Sequence, residues 1–355
     1  MSRPVKHVWP KKSSLSEWEV LRGQMEGRGL SDVVRIGASD VAAAVGASVY
    51  KCPARLFHHL TGRYSSFFIT EKTIAGHMLE PLIADRFMGY VHGDEESTLF
   101  NWQNGVKLRK IKKAEFFLTN PAYPHLFVSL DYVPVGKVYS PFTGELYAPL
   151  TPFENKSTNK RFYENSWEPN NGIPYTYWIQ LNTQMLVSGT KLAVFNVLID
   201  GVEYKVQEYD RDDLLCEMIV TGTEKFADVV KIGKMAWEGM QAAKDESEYE
   251  DFAEIYDAVA PDPVGIEDDV SLERELFPED NSLSKLASEE DEKNMQDYLD
   301  ANEIINQMKS LKDRSLAKLC RSLEDFEVLE SDNYKFVSRR GPDRRPYTRI
   351  SIKNK

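Results

Sequence analysis

Between Phe116 and Tyr209 the apolar pattern of the chain changes period twice, and no other feature narrows its possible folds as much. Phe116-Phe117-Leu118, Leu126-Phe127-Val128 and Tyr132-Val133-Pro134-Val135 read as short strands, with Ser140-Pro141-Phe142-Thr143-Gly144 as a turn and Thr151 to Lys156 as the next strand. Pro174 then opens a helix to about Val187. Lys191 to Ile199 and Glu203 to Tyr209 form a hairpin-like pair around Asp200-Gly201, and Arg211 to Ala243 returns to helical spacing. Helices also precede the strands: Ser14 to Arg28, Val41 to Val45 with Ser39 as N-cap, Pro53 to Leu60 closed by Gly62, and Glu71 to Tyr90. Helices, several strands, a helix and more strands predict an α/β (α+β) fold with a mixed central sheet flanked by helices.

At 355 residues the chain can bury a full core. It contains no run of about 18 apolar residues, and its polar, Lys/Arg-bearing start has no apolar centre. Neither a membrane span nor a secretory signal is read, and a cytosolic location is expected. Cys52, Cys216 and Cys320 are odd in number and far apart, which argues for reduced thiols and against a Cys-x-x-Cys metal clip.

The net charge of −12 would count against a polyanionic partner if it were evenly spread. It is not. Residues 241–334 hold 28 acidic and 9 basic side chains, a balance of −19, so the remainder is +7. Basic clusters lie at Lys107, Arg109, Lys110, Lys112 and Lys113, at Lys156, Lys160 and Arg161, and in the tail from Lys335 to Lys355. Screening acts over about 8 Å at physiological salt, so a basic groove can serve an acidic protein. The domain plan expected is a core at 1–243, with its motifs at 35–201, an acidic helical extension at 244–333 and a basic segment at 334–355. Within the extension, Pro261 and Pro263 mark a linker and Lys285 to about Leu329 reads as one or two helices. The end reads as a hairpin around Gly341-Pro342. The acidic stretch is read either as a contact or gating device or as a solubilising helical arm.

Three positions in the strand region suggest chemistry. Asp131 ends one strand, Glu154-Asn155-Lys156 lies on the next, and Gln180 lies on the helix after it. Phosphodiester hydrolysis needs an oriented water, neutralisation of the pentavalent phosphorus centre and help for the leaving oxygen. Hard divalent ions on carboxylates provide much of this. Asp131 and Glu154 can converge on one Mg²⁺ with the Asn155 backbone carbonyl as a third oxygen. Lys156, two residues from Glu154, shares its face of the strand. Gln180 can hold the attacking water, and Glu80 can approach from the earlier helix as an outer or second-metal carboxylate. Taken singly, each is an ordinary surface residue; order and spacing together carry the reading.

Arg35-Ile36-Gly37-Ala38-Ser39-Asp40, Gly76-His77-Met78-Leu79-Glu80-Pro81, Ser129-Leu130-Asp131, Glu154-Asn155-Lys156 and Tyr177-Trp178-Ile179-Gln180-Leu181-Asn182-Thr183-Gln184-Met185 resemble the successive motifs of YqaJ-type viral recombinases. These are phage alkaline exonucleases related to lambda exonuclease, within the PD-(D/E)xK nuclease superfamily. The resemblance spans about residues 35–201. It implies a restriction-endonuclease-like core, with Asp131 and Glu154 as ligands of Mg²⁺ or Mn²⁺, Lys156 and Gln180 on the nucleophilic water, and Glu80 supporting a second metal. It further implies that Ser39 and Arg35 receive a terminal 5′ phosphate, Ser39 being suited by free N–H groups at a helix start. The implied activity is 5′ to 3′ degradation of one strand at linear double-stranded DNA ends, in recombination or end processing. A trimeric ring, a single-strand annealing protein as partner and, for a phage-encoded chain, the bacterial cytoplasm go with it. The alternatives are a structure-specific or restriction-like endonuclease and a catalytically weak DNA-end-binding module with a partner-recruiting acidic arm. Two features depart from the family pattern. The middle residue of the acid-x-Lys triplet is usually apolar and here is Asn155, which needs a hydrogen-bond partner or an exposed face. The 23-residue interval from Asp131 to Glu154 also holds an extra predicted hairpin.

Overall fold

The computed structural model describes residues 3–8, 15–27, 34–64, 70–276, 286–323, 328–331, 334–340 and 346–352. It divides into two compact units, Met1–Pro278 and Glu279–Lys355. In chain order the first carries β1 (Val5–Val8), α1 (Leu15–Glu26), β2 (Ile36–Gly37), α2 (Val41–Ala44), α3 (Pro53–Thr61), α4 (Glu71–Met88) and α5 (Glu95–Gln103). There follow β3 (Ile111–Lys113), β4 (Phe116–Asn120), β5 (Tyr123–Ser129), β6 (Tyr132–Pro134), β7 (Phe153–Thr158), α6 (Lys160–Phe162) and α7 (Tyr175–Ser188). Then come β8 (Leu192–Ile199), β9 (Glu203–Asp210), α8 (Asp213–Ala242), α9 (Glu246–Val259) and α10 (Glu267–Leu276). The second unit holds α11 (Glu289–Leu323), β10 (Val328–Glu330), β11 (Tyr334–Arg340) and β12 (Pro346–Ile352).

The mixed sheet flanked by helices is present as two sheets, ordered β1-β4-β5-β2 and β3-β6-β7-β8-β9. The β2–β5 and β7–β8 pairs are parallel and the other pairs antiparallel. Only Leu130 and Asp131 separate β5 in the first sheet from β6 in the second, so Asp131 stands where the chain passes between sheets.

Strand periodicity then sorts the side chains. On β8, Ala193, Phe195, Val197 and Ile199 pack with Leu181 and Met185 of α7, whereas Val194 packs with Ala84 and Phe87 of α4. On β7, Phe153 joins the α4 side. Successive residues of a strand point to opposite faces, so Asn155 shares the α4 side and Glu154 and Lys156 the α7 side. That alternation is what places the acid-x-Lys pair against the helix bearing Gln180.

Several elements differ from the sequence expectations. Strands β1 and β3 and helix α5 are additional; β3 is only three residues long and two of them are lysines, so periodicity gives no signal. Ser39 does not cap a helix. It lies in a 3-10 turn, Ala38–Asp40, which runs directly into α2 without a side-chain cap. The first unit extends past residue 243: α9 and α10 pack with it. Tyr256 is fully buried, and its hydroxyl pairs with His58 Nδ1 and Thr61 Oγ1, each at 2.8 Å. Arg55 pairs with Asp268 at 2.8 Å and with Glu275 at 2.9 Å, and Leu272 is buried against Cys52 and Ala54. An acidic composition disguises this docking, because the two carboxylates that hold Arg55 look like solvated charges in the sequence.

In the second unit α11 is one helix, and β10, β11 and β12 form an antiparallel sheet. β11 and β12 are the two arms of the expected hairpin; its turn at Gly341-Pro342 lies outside the described residues, as do Ser14, Arg28 and Lys285. Cys52, Cys216 and Cys320 are free thiols. Among the described residues no helix is long and apolar enough to cross a membrane.

Candidate active site

Glu154 is the hub. It is 2 % exposed, and its Oε1 accepts from the Lys156 ammonium and, at 2.8 Å, from Gln180 Nε2; its Oε2 accepts from Gln184 Nε2 at 2.7 Å. Asp131 reaches the same strand, its Oδ2 accepting from the Asn155 backbone N–H at 2.9 Å. Burial, followed by the neighbouring Glu154 charge, raises the Asp131 pKa well above the usual carboxylate range. For Lys156, burial works against the charge, but Glu154 and Asp131 outweigh it and the pKa is raised. Its ammonium also lies 5.2 Å from the centre of the Tyr177 ring.

Glu80 stands at the border of this cluster. Its carboxylate pairs with His77 at 3.1 Å and Lys113 at 3.2 Å. Burial opposes its ionisation, yet the His77 and Lys113 contacts hold its pKa below the ordinary value. Glu80 is close enough to add to the charge felt by Asp131.

The amide of Asn155 is satisfied on the far side of the strand. The residue is 4 % exposed; its Nδ2 donates to the Glu80 carbonyl at 3.4 Å and its Oδ1 accepts from Asn196 Nδ2 at 2.9 Å. Asn196, directly opposite on β8, in turn accepts from the Tyr204 hydroxyl at 2.8 Å. A polar chain therefore replaces the usual apolar packing at this position and ties β7 to α4.

A cavity of about 400 Å³ opens beside the hub. Lys156, Gln180 and Tyr177 line it together with Ser39, Arg22, Asp40, Tyr50 and Lys51. Arg22 Nη2 donates to Ser39 Oγ at 3.3 Å and also pairs with Asp40, which receives Lys51 at 2.7 Å. Burial opposes the Asp40 charge, but Lys51 and Arg22 overcome it and hold the pKa far below normal. Asp40 thus orients two cations toward one wall of the cavity.

Arg35 is placed elsewhere. Its Nη1 donates to the Met25 carbonyl at 3.2 Å, and it lines a separate cavity with His125, Glu224, Asp228 and Lys231. The basic residues beside Ser39 are Arg22, from α1, and Lys51, from the loop before α3. Sequence reasoning missed both, because neither is close to Ser39 along the chain. Gln184 was missed as well, although its position one helical turn after Gln180 signals a shared face.

The fit to a divalent cation rests on the donor chemistry. Among the described residues no group of three or more His, Cys, Asp or Glu side chains stands ready to hold a metal. The donor set is instead two hard carboxylates, the buried Glu154 and the half-buried Asp131, on adjoining strand ends. Asp131 resists ionisation partly because Glu154 is beside it, which is the electrostatic condition a divalent cation relieves. The residues fit.

Residues 17–191 match the model of the YqaJ-like viral recombinase domain. An uncharacterized protein, YqaJ, of Bacillus subtilis (strain 168) is 27 % identical over 215 residues, covering 59 % of this chain and 58 % of that protein; the match thus spans less than two thirds of the relative. Among solved structures the chain is similar to an alkaline exonuclease (LHK-Exo) from Laribacter hongkongensis, at 18 % identity and a TM-score of 0.42, over 59 % of this chain and 93 % of that one. A structure of LHK-Exo in complex with dAMP gives 18 % and 0.44, over 64 % and 98 %. A phage-related exonuclease from Haemophilus somnus 129PT gives 13 % and 0.37, over 55 % and 94 %.

Proposed function

We propose that this chain, whose residues 17–191 belong to the YqaJ-like viral recombinase domain family, is a Mg²⁺-dependent exonuclease that degrades one strand of linear double-stranded DNA from its 5′ end. The observation that carries the reading is the way Lys156 and Gln180 each touch Glu154 and also line the cavity holding Ser39, Arg22 and Lys51. The same cavity offers an anion two cations and a hydroxyl and carries the groups able to orient a water.

Asp131 and Glu154 would hold the cation, with the Asn155 backbone carbonyl as a further oxygen. When bound, Mg²⁺ supplies Lewis-acid polarisation of the phosphate and a more acidic water. The chain's own residues do the rest. Lys156 is kept protonated by the carboxylates around it, so it acts as a fixed positive charge and hydrogen-bond donor rather than as a base. Gln180 orients the water from the helix side. Glu80, buffered by His77 and Lys113, serves as an outer or second-metal carboxylate. Ser39, Arg22 and Lys51 seat the terminal phosphate, and Asp40 keeps both cations aimed, at the cost of a standing negative charge that disfavours anions bound without their full contacts. Assembly into a ring and work beside a single-strand annealing protein belong to the same reading.

The test is incubation of the full chain with linear duplexes labelled at the 5′ or 3′ end and with a closed circle, with and without Mg²⁺. The expected result is Mg²⁺-dependent loss of the 5′ label ahead of the 3′ label and an intact circle. Cutting of the circle points to an endonuclease, and DNA-end binding without any product to a recruiting module.

A further inference from the structure

We propose that Gln184 is a positioning residue for the active carboxylates, clamping Glu154 by one oxygen so that the other stays with Lys156 and Gln180. This rests on the nuclease reading above and goes beyond it by dividing the work between two glutamines one helical turn apart on α7.

The geometry is specific. Gln184 is fully buried, and its Nε2 donates both to Glu154 Oε2 at 2.7 Å and to the Ser129 carbonyl at 3.4 Å. Ser129 ends β5, two residues before Asp131, so a single amide spans the end of the strand leading to one carboxylate and the side chain of the other. Both acceptors are oxygens, which fixes the amide orientation: turned over, its oxygen would face two oxygens. The consequence is that Gln184 Oε1 lies buried without a hydrogen-bond partner among the described residues. Native interiors leave few such atoms, and each calls for an explanation. Here the unpaired oxygen is the cost of aiming the donor at Glu154. Gln180, in contrast, reaches the other Glu154 oxygen and lines the cavity, so it is free to exchange Glu154 for a water while Gln184 keeps the carboxylate in place.

Groups that hold a ligating carboxylate typically change metal affinity about 10–100-fold when removed. Gln184→Met keeps the length and volume, deletes the donor and also deletes the unpaired oxygen. The test measures, on the full chain, Mn²⁺ affinity by electron paramagnetic resonance without DNA, and the melting temperature in chelator. The expected result is Mn²⁺ binding weakened about 10-fold or more, with a melting temperature equal to or above that of the unmodified chain. A purely packing role predicts the reverse: a lowered melting temperature with unchanged Mn²⁺ affinity, and that result overturns the assignment. Unchanged affinity at unchanged stability overturns it too. An unmodified chain that binds Mn²⁺ and degrades DNA, alongside a Gln184→Met chain that matches it, removes the Gln184 role and leaves the nuclease reading standing. An unmodified chain that binds no Mn²⁺ and yields no product removes both.

Discussion

The buried amide pair Asn155 and Asn196 offers a quantitative check on the strand alternation that separates the chemical face of β7 from its structural face. Asn155→Ala leaves Asn196 Nδ2 without its 2.9 Å acceptor in a fully buried position and removes the long bond to the Glu80 carbonyl. One unsatisfied buried polar group costs about 1–3 kcal/mol. Asn196→Ala strands two groups, Asn155 Oδ1 and the Tyr204 hydroxyl, so its cost is about 2–6 kcal/mol on the same scale. The double variant leaves only the tyrosine unpaired. The singles strand three groups between them, so the double should fall short of their sum by two groups, about 2–6 kcal/mol. All six tryptophans precede residue 279, so urea unfolding followed by tryptophan fluorescence reports on the first unit alone. Each kcal/mol corresponds to about 2–4 °C in a domain of some 150–250 residues, which makes thermal melts a second measure. Singles that cost less than about 0.5 kcal/mol, or a double that is additive within that margin, would refute the argument that Asn155 is held by the α4 side of the sheet.

Replacement of Lys156 by Ala is expected to abolish cleavage while DNA binding in a gel-shift assay is largely kept, because in the proposed mechanism the lysine acts on the water rather than on the duplex. Asp131→Ala should remove all Mg²⁺-dependent product in the end-label assay; near-normal turnover by both variants would defeat the site assignment. Loss of the phosphate seat through Ser39→Ala or Arg22→Ala should erode the preference for a 5′-phosphorylated over a 5′-hydroxyl end by about tenfold, the effect of roughly 1.4 kcal/mol, whereas Arg35→Ala should leave that ratio unchanged. Burial lowers the His58 pKa from 6.5 to about 4, so the folded chain holds this imidazole neutral while the unfolded chain takes up a proton below about 6.5. Its contribution to stability is thus complete above pH 6.5 and is lost as the pH falls toward 4; a chain with His58→Phe should show a flatter melting profile across that window.

Much of the fold is legible because its signals are local. The α7 helix follows from Pro174 at its start and Gly189 at its end, and the β8–β9 hairpin from the Asp200-Gly201 turn, where both residues take positive φ. What is not legible depends on partners distant in sequence. Strand β1 exists by pairing with β4 more than a hundred residues later, and its four residues are all exposed, so no apolar alternation betrays it. The docking of α10 depends on Arg55, whose carboxylate partners Asp268 and Glu275 lie 213 and 220 residues later.

The same distinction governs the site. Asp131, Glu154, Lys156 and Gln180 come together because strand period turns Glu154 and Lys156 toward α7 and Gln180, while the short passage between the sheets brings Asp131 beside β7, and both are readable from spacing. The anion wall obeys no such rule. Arg35 is four residues from Ser39, yet the strand β2 begins at the very next residue and the intervening chain runs into a 3-10 turn, so the arginine leaves on the other side and finds the Met25 carbonyl. Arg22 reaches Ser39 instead, because α1 passes beside the turn and Glu26, one helical turn along, pairs with its guanidinium at 2.7 Å. Two side chains pack closely over Gly37: a Cβ there would lie 3.3 Å from Arg22 Nη2 and 3.1 Å from the Phe127 ring. Glycine is thus the residue that lets α1 deliver its arginine to the cavity. Gly37→Val, whose branched side chain must displace one or both neighbours, should lower the 5′-phosphate preference as Arg22→Ala does while sparing the Mg²⁺ requirement. Loss of the Mg²⁺ requirement together with the end preference would place Arg22 in the carboxylate cluster rather than at the phosphate seat.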